Sequence, residues 1–189
     1  MSEDALIAAL RQRDPHAMTH IFELYADKIY RLAAGMLHDE VQADGVVQDT
    51  FLALIEHIDR FEGRSSIGTW LYSVARNECL RRIRRARPQV SVDEMLDDEI
   101  MPENFTSWEG VPDEIFRGEE ARRMMENAIR SLSPALQQVF TLRDVEGLSI
   151  AETARILQIG ESAVKVRLHR ARLILREKLA GYFEEYSRV

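Results

Sequence analysis

Lys165, His169, Arg172 and Arg176 follow one another at spacings of three and four residues, so on a helix they form one basic stripe, with Arg167 and Arg170 on its flanks. Such a row attracts phosphates, and its arginines can also bridge the O6 and N7 atoms of a guanine in the major groove. Val164, Leu168, Ala171 and Leu175 repeat on the opposite side and would seat the helix on a core. Upstream, Ser149 precedes Glu152 by three residues, the spacing of a capping box, and opens a shorter helix bearing Ile150, Ala154 and Leu157. Gly160, between the two, supplies a turn residue that can take a positive φ. Two short helices, a glycine turn and a basic outer face predict a DNA-binding helix-turn-helix. The plainer alternative is a helical hairpin whose arginines only meet water, but these cations form a face and not a scatter.

A second set of residues suits single strands. Phe61, Arg64, Trp70, Tyr72 and Arg76 lead into an arginine run from Arg81 to Arg87, and Trp70, Ser73, Asn77, Arg81 and Arg84 share one helical stripe. Aromatic faces beside a basic track hold unpaired bases by stacking and phosphate attraction. The preceding loop FEGRSSIG, with two glycines and two serines, is built to wrap an extruded base through backbone and hydroxyl groups. Trp70 and Tyr72 fit a half-buried core position equally well. The arginine run does not, since like charges so close repel one another without an anionic partner. An acidic counterpart lies at residues 43–58, where Val46, Val47, Phe51 and Leu52 are expected to face inward and Asp44, Gln48 and Asp49 outward. Such a patch is ordinarily a solvated face; if it binds, its partner is a basic protein surface.

Catalysis has no comparable support. The five histidines (16, 20, 38, 57 and 169) are dispersed, and no nucleophile stands beside a base. His16 and His20 have the i, i+4 spacing of a metal pair, though two surface histidines are the simpler reading. No enzyme activity, metal or cofactor is expected. The single Cys79 excludes an internal disulfide and reads as a small core residue. No apolar run reaches membrane-spanning length, and the first four residues lack a basic leader, so a cytoplasmic protein without membrane insertion is expected.

The elements that must carry these residues are helical throughout. Short helix 3–12 precedes one begun by Asp14 and Pro15, an N-cap and first-turn proline, carrying Ile21, Phe22, Tyr25, Ile29, Leu32 and Leu37. Asp39 and Gln42 have capping spacing for a third helix to about Ile58, and a fourth over roughly 67–87 buries Ile67, Leu71, Val74, Ala75 and Cys79. Periodicity fails from Pro88 to about Gly118 and resumes with Met124, Met125, Ile129 and Leu132, followed by a helix capped by Ser133 and Pro134. The net charge of −7 disguises the arrangement. Residues 60–90 hold 8 basic groups against 2 acidic, residues 161–178 hold 6 against 2, and residues 91–120 between them hold 1 against 11. Two basic islands separated by an acidic segment are the pattern of a nucleic-acid binder, not of a uniformly acidic protein.

From about residue 20 to residue 180 the chain resembles the extracytoplasmic-function sigma factors, the small alternative members of the bacterial sigma-70 family. The resemblance rests on ADGVVQDTF (43–51), FEGRSSIGTWLYSVARNECLRRIRR (61–85), LSPALQQVFTLRDVEGLSIAETARIL (132–157) and AVKVRLHRAR (163–172), four motifs in the family's order. It implies an all-α chain: a region 2 bundle over 1–90, a flexible acidic linker over 91–118 and a region 4 helix-turn-helix over 119–189. The implied partners are core RNA polymerase, through the coiled coil of its largest subunit and its flap, promoter DNA and an anti-sigma factor. By resemblance, Asp44, Gln48 and Asp49 contact polymerase. Phe61, Gly63, Arg64, Ser65, Ser66, Trp70, Asn77, Arg81 and Arg84 capture a flipped base of the −10 element and hold the junction beside it. Ser162, Lys165, Val166, Arg167, His169, Arg170 and Arg172 occupy the −35 positions, with Arg167 and Arg172 fitting phosphates or the fold better than base edges. The linker is implied to run near the RNA exit path. Gly45 departs from the acidic residue usual beside Asp44, and Ser162, Ala163 and Val166 stand where the family often has Gly, Thr and Ser. Fewer hydroxyls at that helix start imply altered or weaker −35 preference. A stand-alone helix-turn-helix regulator is the competing reading.

Overall fold

The computed structural model describes residues 2–86 and 119–186, and among these the only regular structure is helical. The acidic linker and Arg87 lie outside the described residues. Helix α1 spans Glu3–Arg11, α2 Pro15–Leu37, α3 Glu40–His57, and α4 Ile67–Ala86, with a single 3-10 turn at Ile58–Arg60. After the linker come α5 (Glu119–Arg130), α6 (Pro134–Phe140), a π turn (Thr141–Val145), α7 (Ile150–Leu157) and α8 (Glu161–Tyr186). The chain forms two compact units, one containing α1 to α4 and the other α5, α6 and α8.

The boundaries have local causes. The Asp14 carboxylate accepts from the His16 amide at 2.8 Å and Asp39 accepts from Gln42 at 3.0 Å, each satisfying a donor that a helix start leaves open. Ser66 does the same for α4, its Oγ accepting from the Thr69 amide at 3.1 Å. Glu3 adds a carboxylate at that N-terminus, accepting from the Ile67 amide at 2.6 Å, where the helix dipole favours negative charge. At the other end of α1, Arg11 donates to the Phe61 carbonyl at 2.6 Å and so ties the loop before α4 to the bundle.

In the first unit α2, α3 and α4 pack on one another. Ile21, Ile29, Leu32, Val46, Leu54, Leu71, Ala75 and Cys79 are fully buried between them. Gly68 allows close approach: a Cβ there would stand 2.5 Å from the Tyr25 hydroxyl. Two apolar assignments need correction: Leu52, expected inward, is 56% exposed, and Val74, expected buried, is half-buried. Phe22 is 49% exposed and lies against Phe51 with ring centroids 4.8 Å apart. A period of 3.6 fixes which residues share a stripe, but not how wide a stripe the neighbouring helices cover.

In the second unit α8 packs against α5 and α6, and Val139, Leu142, Val164, Ala171 and Leu175 are buried. The capping box at α7 is formed in both directions, Glu152 amide to Ser149 Oγ at 3.1 Å and Ser149 amide to Glu152 Oε2 at 2.9 Å. The turn is built differently from expectation. Gln158, at φ 55°, is the left-handed residue after α7, while Gly160 begins α8 by offering its carbonyl to the Val164 amide at 3.1 Å. Gly147, at φ 71°, supplies the left-handed residue before the capping box.

Candidate nucleic-acid interface

On the outward side of α3, Asp44 and Gln48 are exposed as expected, one turn apart. The same stripe continues through Val41 (79% exposed), Leu52 and Ile55 (39%), none of which the sequence had singled out as a surface. One carboxylate and one amide set among apolar groups along this helix face suit a helical partner with polar or basic and apolar groups of its own. Asp49 is less open than Asp44 and Gln48: it is half-buried, with its Oδ2 held at 2.7 Å by Arg82 of α4.

The loop and α4 make the second surface. Gly63 takes φ 69°, a conformation glycine adopts without strain, and turns the chain between Phe61 and α4. Phe61 itself is buried, edge-on to Trp70 with centroids 6.3 Å apart, so it forms a floor and not a free stacking face. Arg64 is highly exposed and paired with Glu62. Ser65 and Ser66 are half-buried; Ser66 is engaged as the α4 cap and bonds Thr69 Oγ1 at 2.9 Å, while Ser65 Oγ donates to the Ser66 carbonyl at 3.2 Å. The S-x-x-T spacing carried that capping signal. Trp70 is half-buried, and beyond it Asn77, Arg81 and Arg84 are exposed along the predicted stripe, with Arg85 exposed beside them. Arg76 departs from the strip: it is buried, and its pKa is lowered first by that burial and then by Arg84. Cys79 is buried too, its thiol pushed up to about 12 by desolvation, which makes it a poor thiolate and a core residue as read.

The basic face of α8 is only partly open. Ser162, Lys165 and Arg176 are exposed and Arg170 is half-buried, but Val166, Arg167 and His169 are buried, and Arg167, His169 and Arg170 already have interaction partners. Arg172 is a structural residue: its Nε and Nη2 donate to the two carboxylate oxygens of Asp144 at 2.8 and 2.7 Å, fastening α8 to the π turn. The expectation of one continuous exposed stripe from Lys165 to Arg176 is therefore corrected. Equal helical spacing cannot distinguish a cation facing solvent from one that a neighbouring turn has claimed. Among the described residues no group of three or more potential metal ligands converges.

Comparison with known proteins divides the chain between residues 89 and 122. Residues 21–89 match the model for sigma-70 region 2, and residues 122–175 that for sigma-70 region 4. The chain is 32% identical over 180 residues to the ECF RNA polymerase sigma factor SigW of Bacillus subtilis, covering 92% of this chain and 94% of that one. It is 29% identical to the ECF RNA polymerase sigma-E factor of Escherichia coli, covering 95% of each. Among solved structures it is similar to CnrH in complex with the cytosolic domain of CnrY, with a TM-score of 0.64 at 22% identity over 95% of this chain and 97% of that one. It is also similar to the sigma factor RpoE bound to the anti-sigma factor NepR from Bartonella quintana, with a TM-score of 0.63 at 23% identity over 86% and 96%. At these identities the likeness is one of fold.

Proposed function

The chain belongs to the sigma-70 family as an extracytoplasmic-function RNA polymerase sigma factor, and on that premise we propose how its surfaces divide the work of initiation. As a sigma factor it joins core RNA polymerase and directs promoter-specific transcription initiation; polymerase supplies the chemistry. The outward stripe of α3, with Asp44 and Gln48 among Val41, Leu52 and Ile55, docks on the coiled coil of the polymerase largest subunit. The loop at Gly63 to Ser66 and the strip Trp70, Asn77, Arg81 and Arg84 take the opened −10 element, where stacking and phosphate contacts offset the cost of unpairing. Ser162, Lys165 and Arg170 on α8 meet the −35 duplex, and the second unit reaches the polymerase flap. The four-helix unit spans 1–90, the helix-turn-helix unit 119–189, and the acidic segment 91–118 joins them. The two structural neighbours, whose partners are CnrY and the anti-sigma factor NepR, support an anti-sigma factor as the regulator of this chain also. No described helix is long and apolar enough to cross a membrane, in keeping with work in the cytoplasm.

The observation that carries this reading is the pair of surfaces on one unit, an apolar stripe bearing Asp44 and Gln48 on α3 and a basic strip on α4. A stand-alone helix-turn-helix regulator has no use for either. Co-elution with core polymerase tests it, with wild type beside Asp44→Arg. Stable co-elution that weakens at least tenfold in the variant, with promoter-directed transcription lost in parallel, is the expected result. Promoter activation and co-elution untouched by Asp44→Arg would instead remove the α3 stripe from the polymerase contact.

A further inference from the structure

The arginine strip of α4 is not simply presented to a nucleic acid; part of it is already occupied from within. Glu78 lies on the same helix, its side chain 11% exposed. Arg81 donates to it twice, Nε to Oε2 and Nη2 to Oε1, both at 2.6 Å, the two-pronged geometry by which an arginine also grips a phosphate. Arg82 donates Nε to Glu78 Oε1 at 2.8 Å, Nη2 to Asp49 Oδ2 at 2.7 Å and Nη1 to Gln42 Oε1 at 2.6 Å. On its way to α3, Arg82 passes close over Gly45, where a Cβ would stand 2.7 Å from Nη1. Burial pushes the Glu78 carboxyl up, but hydrogen bonds and charge from Arg81 and Arg82 outweigh it and hold the group below the ordinary glutamate range. Two cations and two carboxylates thus cancel one another, and among the described residues the exposed Arg84 and Arg85 extend the strip beyond them.

We propose that Glu78 is a built-in competitor for the phosphate that Arg81 would otherwise bind, and so sets how strongly the free chain holds single-stranded nucleic acid. This rests on the reading of the α4 strip as a nucleic-acid surface. Arg81, with its side chain 47% exposed, must exchange one anion for another when a strand arrives, so the net gain is small. The arrangement keeps the free protein from engaging stray single strands, and binding becomes productive where other contacts hold the strand in place.

The test is titration of the full chain with a fluorescent oligothymidine of about 12 nucleotides, within the usual span of single-strand sites, across a series of salt concentrations. Wild type is compared with Glu78→Gln, Glu78→Asp and Arg81→Gln, each checked for helical content by circular dichroism. Glu78→Gln is expected to bind roughly three- to tenfold more tightly at low salt, with a log–log salt slope steeper by about 0.7 for each phosphate newly contacted. Glu78→Asp, a weakened competitor, falls between wild type and Gln; it carries the comparison alone if Glu78→Gln loses helicity. A purely structural role for Glu78 would not steepen the slope. Unchanged or weaker binding by both Glu78 variants, with Arg81→Gln still impaired, overturns the competitor and leaves the strip reading intact. Full binding by Arg81→Gln defeats the strip reading at Arg81 and the proposal with it.

Discussion

Glu78 shows how a single carboxylate can serve a fold and restrain a binding surface together. Its pKa is held below the unfolded value of about 4.3, so the stabilisation it contributes is fully present above that pH and disappears as pH falls through the folded value. Urea midpoints for wild type and Glu78→Gln should therefore differ by a constant amount above about pH 5 and converge toward pH 3. A gap that stays constant down to pH 3 would mean that the pair with Arg81 and Arg82 adds nothing to stability. Nothing local in the sequence announces this network. Arg81 and Arg82 read as part of a basic run, Asp49 as part of an acidic patch, and the separation of 33 positions between Asp49 and Arg82 hides their pairing. Gly45 reads as a lost acid; in the structure it is the space through which Arg82 crosses to α3. Leu52 failed for a related reason, because an apolar residue at the edge of a stripe is inward or outward according to what lies opposite.

At the level of helices, the starts were the legible part. Asp14 with Pro15, Asp39, and Ser149 with Glu152 each satisfy amides within three residues, so the signal is wholly local. The ends were less legible, since Gln158 and His38 adopt left-handed φ values of 55° and 50° where glycine would have been the signal. The π turn between α6 and α7 was missed, and it supplies the anchor for α8. Asp144 takes both donors of Arg172, and their side chains are only 19% and 29% exposed, so the pair is better shielded than a surface bridge. Asp144→Asn should cost about 1–2 kcal/mol of stability, read from the thermal or urea transition. Affinity for a −35 duplex should drop with it, because Lys165 and Arg170 ride on the helix that the pair fastens. Arg172→Lys should reproduce most of the loss, since an ammonium cannot bridge both oxygens in a plane. A variant stable as wild type yet weaker on DNA would assign Arg172 to the phosphates instead.

For the molecule as a whole, charge order along the chain was plain in the sequence, and it makes a prediction that no single residue can. Residues 91–118 carry 9 acidic groups against 1 basic, between islands that must both approach a polyanion. Exposed charges act on one another over roughly 8–10 Å at physiological salt and about 30 Å at 0.01 M. The acidic segment should therefore lower the apparent affinity for promoter DNA most at low ionic strength. Replacing its nine acids by glutamine and serine is expected to tighten binding of the free chain by about tenfold at 0.01 M salt, fading toward parity near 1 M as the Debye length shrinks to about 3 Å. The change should appear chiefly in the association rate, which long-range fields govern, with dissociation little altered. An advantage that persists undiminished at high salt would point to short-range occupation of a basic island by the acidic segment. Deleting residues 91–96 and 112–118 separately would then locate the island, because each end lies nearest a different one in the chain.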